Sequence, residues 1–283
     1  MMGIAITAPN FTESLHFEPS QLLSRVTFVL VEPSHPGNVG SAARAMRVMG
    51  LKHLRVVAPR YPNVLNNPQA RALSSGAFDV LDNGVIFDTL DEALADMQLK
   101  VAVSAASREF SAAPRPPDVV CAEAVALLAS ELQSVAFVFG TERTGLSIEQ
   151  VQRCQWVCSI PGAIDYQSLN LSQAVQILSY CLGQASQKAQ ELFIKRAPIA
   201  EKVSKDPGER LSRDDELEGL FAHLERMLVD IEFLNTEKPK KLMPRLRRLF
   251  TRAALQRGEV DILRGICTAV QAKVQHKRAN GWE

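Results

Sequence analysis

"RVTFVLVEPSHPGNVGSAARAM", residues 25–46, is an apolar run, then a turn rich in proline, glycine and asparagine, then a small-residue segment. The run carries few polar side chains, the pattern of a strand covered on both faces of a parallel sheet. In the segment after it, Val39, Ala42, Ala43, Met46 and Met49 recur at helical spacing. At about 100° per residue Arg44 points away from that stripe. The stretch therefore reads as a βα unit joined by a bare loop. Gly37 and Gly40 are expected to let another backbone come close, and Asn38 to cap the helix.

The same rhythm continues along the chain. Strand-like runs recur at 53–59, 84–88, 100–105, 135–140 and 156–162, with helical patterns between them. Thr89 to Glu92 and Ser147 to Gln150 fit the capping-box template and place short helices between strands. An α/β domain with a parallel sheet covered on both faces follows. Its expected span is 25–193, after a poorly ordered extension over 1–24. Residues 194–213, charged and broken by prolines and a glycine, read as a linker. The rest, 214–283, is helical in pattern, with segments at 214–234, 242–258 and 259–278. In the middle one, Leu242, Leu246, Leu249, Phe250 and Ala253 form an apolar stripe, and Arg245, Arg248 and Arg252 share another face.

Composition excludes several classes. An apolar content of 46% with 22% charge is that of an ordinary globular chain, and no apolar run approaches the roughly 20 residues of a membrane helix. With no leader-like N-terminus, the reading is cytoplasmic, without a membrane partner. Cys121, Cys154, Cys158, Cys181 and Cys267 form no C-x-x-C pair, and no H-E-x-x-H occurs, so buried free thiols and no metal are expected. Net charge is +1, but its distribution is uneven. Residues 238–283 hold 12 Lys/Arg and 3 Asp/Glu, whereas residues 1–237 hold 20 and 28. A basic end on an acidic body suits a polyanionic partner such as nucleic acid.

In open α/β sheets ligands lie beyond the carboxyl ends of strands, so loops that leave strands carry the chemistry. Besides "EPSHPGNVG", two stand out. "FVFGTERTGLS" (137–147) has the Gly140 to Gly145 spacing of a phosphate loop, but Leu146 stands where the lysine would be, which excludes an NTPase. Glu142 and Arg143 beside the glycine suit a nucleoside cradle, and on spacing alone equally a plain turn. "SIPGAIDYQSLNLSQAV" (159–175) ends a strand in a Pro-Gly turn and opens a helix, with Ser168 as the simple N-cap. The chain lacks G-x-G-x-x-G, which speaks against a dinucleotide-dependent redox enzyme.

In this order and spacing the three loops resemble the signature motifs of the SPOUT (α/β-knot) RNA methyltransferases. The matching residues are Asn38, Gly40 and Arg44; Phe139 to Leu146; and Ile160 to Asn170. "KLMPRLRRLFTRA", "ILRG" and the acidic helix before them resemble the helical extension of tRNA ribose methyltransferases within that family. The likeness runs from residue 25 to about 275. It implies an α/β domain with a deep trefoil knot, a small C-terminal all-helical domain, a homodimer and S-adenosyl-L-methionine as cofactor. It further implies 2′-O-methylation of cytidine or uridine at the first nucleotide of the tRNA anticodon loop, or, as the alternative, of rRNA or another tRNA position. Carried over by position, Val103, Ser104, Ala105, Gly140, Ile160, Gln167, Ser168 and Leu169 hold the cofactor. Arg44 is the catalytic match, with Asn38 and Ser168 positioning it or the ribose, and Asn170 holding the third turn. Arg245, Arg247, Arg248 and Arg252 hold RNA phosphates, which fix register without reading sequence. A non-catalytic RNA-binding relative would have lost Arg44, Asn38 or the "SLN" turn; all are present.

Overall fold

A computed structural model describes residues 19–105, 112–130, 132–163, 169–196, 210–235 and 241–279. In chain order the elements are α1 (Pro19–Leu23), β1 (Val26–Val31), α2 (Pro36–Val48), β2 (His53–Val57), α3 (Pro68–Ser74), α4 (Phe78–Asp82), β3 (Val85–Phe87), α5 (Leu90–Leu94), β4 (Leu99–Val103), β5 (Pro114–Arg115), α6 (Pro117–Ser130), β6 (Val135–Phe139), α7 (Ile148–Gln152), β7 (Trp156–Cys158) and α8 (Leu171–Arg196). Three helices follow: α9 (Asp214–Asp230), α10 (Leu242–Ala253) and α11 (Arg257–Ala279).

The strands form one sheet in the order β3-β2-β1-β6-β4-β7-β5, and every pairing is parallel. The six expected strands are present. The two-residue β5 is a seventh, too short to leave a periodic signal. Alternation along the strands sorts side chains to two faces. Phe28 and Leu30 of β1 and Phe137 and Phe139 of β6 join the core under α1, α2, α6 and α8. Val29, Val31, Ala136 and Val138 join the core under α5 and α7. Burial on both faces is why these strands read as unbroken apolar runs. After β6, β7 takes its place on the far side of β4, so the connecting chain passes across β4.

Local signals explain the helix starts. Thr89 and Ser147 both close full capping boxes, with Glu92 and Gln150 reaching back to the cap N–H. The opening stretch differs from expectation. Helix α2 begins at Pro36 with His35 at the cap, so the residues expected as loop are its first turn and Asn38 lies inside the helix. Proline suits that start because its missing N–H would be unpaired there.

Helices α9 and α11 pack around Leu217, Leu220, Phe221 and Val260 at one end and Met227, Leu228, Leu234 and Cys267 at the other. Helix α10 lies over this pair through Leu242, Met243, Leu246 and Phe250, while Leu249, expected in the same stripe, is exposed. The helical unit is joined to the sheet at the strand-opening end. Lys100 of β4 and Asp214 at the start of α9 form a buried ion pair, each side chain 3% exposed, and Arg153 bonds the other Asp214 oxygen at 2.7 Å. Backbone bonds from Asp214 to Met97 and from Asp215 to Ala95 hold the junction. Cys121, Cys154, Cys158 and Cys267 are buried free thiols, as expected, and Cys181 is half-buried. Among the described residues no helix is long and apolar enough to cross a membrane, and no cluster of metal-ligating side chains occurs.

Candidate active site

The carboxyl ends of β4, β6 and β7 open onto one cavity of about 280 Å³. Six of the eight residues expected at the cofactor line it: Val103, Ser104 and Ala105 after β4, Gly140 after β6, Ile160 after β7, and Leu169 before α8. Gln167 and Ser168 lie outside the described residues. The volume is close to the lower end of the range, about 300–1,000 Å³, of small-molecule sites. Its walls suit a ligand recognised by backbone groups and small side chains.

The second motif forms the floor by folding on itself. Gly145 N–H donates to the Thr141 carbonyl at 3.0 Å, and Gly145 has φ +69°. A Cβ on Gly140 would stand 2.1 Å from the Gly145 carbonyl carbon, so glycine is the residue this turn admits. Arg143, also on the cavity wall, has no hydrogen-bond or ion-pair partner among the described residues.

Glu142 points out of the same turn and binds the first motif. Its carboxylate accepts the Ser34 N–H and hydroxyl, each at 2.9 Å, the His35 N–H at 3.2 Å and the Asn38 side-chain amide at 2.9 Å. Burial acts to raise its pKa, but the bonds from Asn38 and Ser34 outweigh it and hold the carboxyl below its ordinary value. The Asn38 carbonyl oxygen in turn accepts from the Asn170 amide at 3.0 Å. Asn170 caps α8 by accepting the Ser172 N–H at 2.9 Å, which assigns the cap to Asn170 instead of Ser168. One chain of contacts, Glu142 to Asn38 to Asn170, thus ties the three motifs together. Glu142 was legible in the sequence only as a charged neighbour of Gly140.

Gly37 and Gly40 do not serve an external partner. Both are buried, and a Cβ on Gly40 would lie 2.0 Å from the Ala70 carbonyl oxygen, so their bareness seats α2 against α3. Arg44 is exposed on α2 and has no partner among the described residues. It does not line the cavity of its own chain. On α10, Arg245, Arg248 and Arg252 are exposed, but the Arg247 guanidinium is held by Glu218 and lies 4.5 Å over the Phe221 ring.

Residues 25–180 match the SpoU rRNA methylase family. The chain belongs to that family. Residues 215–279 match the C-terminal domain of the tRNA methyltransferase TrmJ, which spans the helical unit. The chain is 40% identical over 267 residues to a tRNA (cytidine/uridine-2′-O-)-methyltransferase TrmJ of Yersinia enterocolitica, covering 93% of this chain and 98% of that one. It is 43% identical over 254 residues to a tRNA (cytidine/uridine/adenosine-2′-O-)-methyltransferase TrmJ of Pseudomonas aeruginosa, covering 88% and 95%. Among solved structures, TrmJ from Z. mobilis superposes with a TM-score of 0.70 at 28% identity, over 87% of this chain and 98% of that one. This SpoU methylase therefore shares both parts of its architecture with TrmJ proteins.

Proposed function

We propose that the chain transfers a methyl group from S-adenosyl-L-methionine to the ribose 2′-oxygen of cytidine or uridine in tRNA, at the first nucleotide of the anticodon loop, working as a homodimer with the family's trefoil knot. The observation that carries this reading is a strand-end cavity lined by the second and third motifs, to which Asn38 of the first is bonded through Glu142 and Asn170, in a chain whose C-terminal helical unit matches the TrmJ extension.

Bound in the cavity, S-adenosyl-L-methionine would supply an activated methyl group. The residues of this chain must then hold a weakly nucleophilic hydroxyl in line with it and steady the developing oxyanion. Arg44 suits the second task. A guanidinium stays protonated, so it orients the hydroxyl and a neighbouring phosphate instead of removing a proton. Because Arg44 is exposed and off its own cavity, it reaches the cavity of a partner subunit, and each site is shared. Asn38, whose amide is bonded at both ends, acts as a positioning residue. Gln167 and Ser168 are assigned to the cofactor by resemblance alone. Arg245, Arg248 and Arg252 meet RNA phosphates, while Arg247 braces α10 on α9.

Transfer of labelled methyl to unmodified tRNA, followed by mapping of ribose methylation, tests the reading. Label in the anticodon loop with the wild type, lost with Arg44→Ala, is expected; label in rRNA alone would remove the substrate assignment. Mixed dimers of an Arg44→Ala subunit with an Ala105→Trp subunit, its cavity filled, should recover about half the activity. Absence of that recovery would sink the shared site.

A further inference from the structure

A second and larger cavity, about 560 Å³, lies between the two parts of the chain, at the strand-opening end of the sheet and therefore opposite the cofactor cavity. Leu99 and Trp156, at the starts of β4 and β7, form one wall, and Phe250, Thr251 and Leu255 form the other. Its volume is well within the range of small-molecule sites, which favour domain junctions.

Charge sets this cavity apart. Arg115, Arg248 and Arg252 line it, and among its described lining residues there is no carboxylate. The Arg115 guanidinium lies 4.5 Å over the Trp156 ring and is paired with Glu123, so it is fixed in place. Arg248 and Arg252, one helical turn apart on α10, have no ion-pair partner among the described residues. Ser212, on the same wall, is 2% exposed and carries a hydroxyl with no hydrogen-bond partner. A buried hydroxyl left unpaired costs free energy that a polar ligand would recover.

Aromatic walls, a polar atom without a partner and free arginines at one side are the requirements of a nucleotide, its base inside and its phosphate on the guanidinium groups. We propose that this inter-domain cavity takes one unpaired nucleotide of the bound RNA, so that the helical unit grips the substrate by inserting a base as well as by touching phosphates. The proposal rests on the tRNA-methylating reading and names a contact site within it.

The sequence has two tryptophans, Trp156 and Trp282. In a Trp282→Phe background, Trp156 fluorescence reports on the cavity directly. Unmodified tRNA is expected to quench it saturably, with uridine 5′-monophosphate quenching only at far higher concentration. Thr251→Phe, which fills the cavity and removes no charge, should abolish the quench and weaken tRNA binding about tenfold. Cofactor affinity and the salt slope of tRNA binding should not change. If tRNA binds with no quench, and Thr251→Phe leaves its affinity unaltered, the inserted base is disproved while the methylating function stands. Quenching by the mononucleotide but not by tRNA would make the cavity a metabolite site and equally overturn the proposal. If the wild type neither binds nor methylates tRNA, both readings fall together, an outcome distinct from the others.

Discussion

The side chains of Asn38 and Asn170, 132 residues apart in sequence, meet amide to carbonyl at 3.0 Å. This contact closes the start of α8 onto α2, and Glu142 fixes the other end of the Asn38 amide at 2.9 Å. Asn38→Ala and Asn170→Ala should each cost about 0.5–1.5 kcal/mol. The double variant should cost less than the sum, because the two residues share one bond. Urea unfolding of the four proteins measures the coupling; strict additivity would remove the link.

Glu142→Gln keeps the shape of the side chain but turns a charge-assisted acceptor into a neutral one. A loss of about 1–3 kcal/mol in stability is expected, together with weaker cofactor binding, since Ser34, His35 and Asn38 lose their shared anchor. The carboxyl's depressed pKa gives the wild-type network a pH dependence of known sign. Its contribution is present above the ordinary carboxylate range and is lost as pH falls through the lowered value. Calorimetric titration with S-adenosyl-L-methionine at stepped pH should show this in the wild type and not in the variant.

Gly40→Ala tests the packing of α2. With the Ala70 carbonyl oxygen 2.0 Å from where the new Cβ would stand, α3 must shift, at a cost of about 1–3 kcal/mol. A melting temperature equal to that of the wild type would show that the helices are not so tightly seated.

Removing one partner of the buried pair at the domain junction leaves the other charge without compensation. Asp214→Ala should destabilise by about 3–5 kcal/mol. The double replacement Lys100→Met with Asp214→Leu should cost much less, because it removes both charges of the pair and keeps the volume, while Arg153 retains Asp91 and Glu218 as partners. Thermal unfolding of the two variants discriminates; equal losses would contradict a desolvated pair.

Glu216 gives the helical unit its own acid limit. Burial acts to raise its pKa, but bonds from Arg210, the Arg213 N–H and Arg257 prevail and push it down to about 2. A depressed folded-state pKa stabilises above the unfolded value of 4.5, and that contribution disappears as pH falls from there to about 2. Urea midpoints measured across this window should fall more steeply for the wild type than for Glu216→Gln.

The sheet was legible because β1, β4 and β6 are apolar on both faces and each is followed by turn residues. The cofactor cavity was legible because the segments that line it leave β4, β6 and β7, and six residues assigned by position in the family resemblance line it. Asn38 as cap and Gly37 and Gly40 as open points were misread for a single reason. Pro36 starts the helix earlier than a glycine-rich string suggests, which places all three inside it, the glycines against α3 and Asn38 toward Glu142 and Asn170. Arg247 was grouped with its basic neighbours because spacing along α10 does not reveal Glu218 on α9. Likewise the Lys100 to Asp214 pair joins a strand to a helix 114 residues later, and no local pattern marks either as buried.

Because the helical unit is fastened where the strands begin and the cofactor cavity opens where they end, the two can change independently. If α10 holds RNA phosphates as proposed, substitutions on it would alter that grip without moving a wall of the strand-end cavity, and the strand-end loops can be held constant while they do. On the proposed reading, a scaffold divided in this way lets substrate recognition drift at one end with the chemistry at the other left untouched.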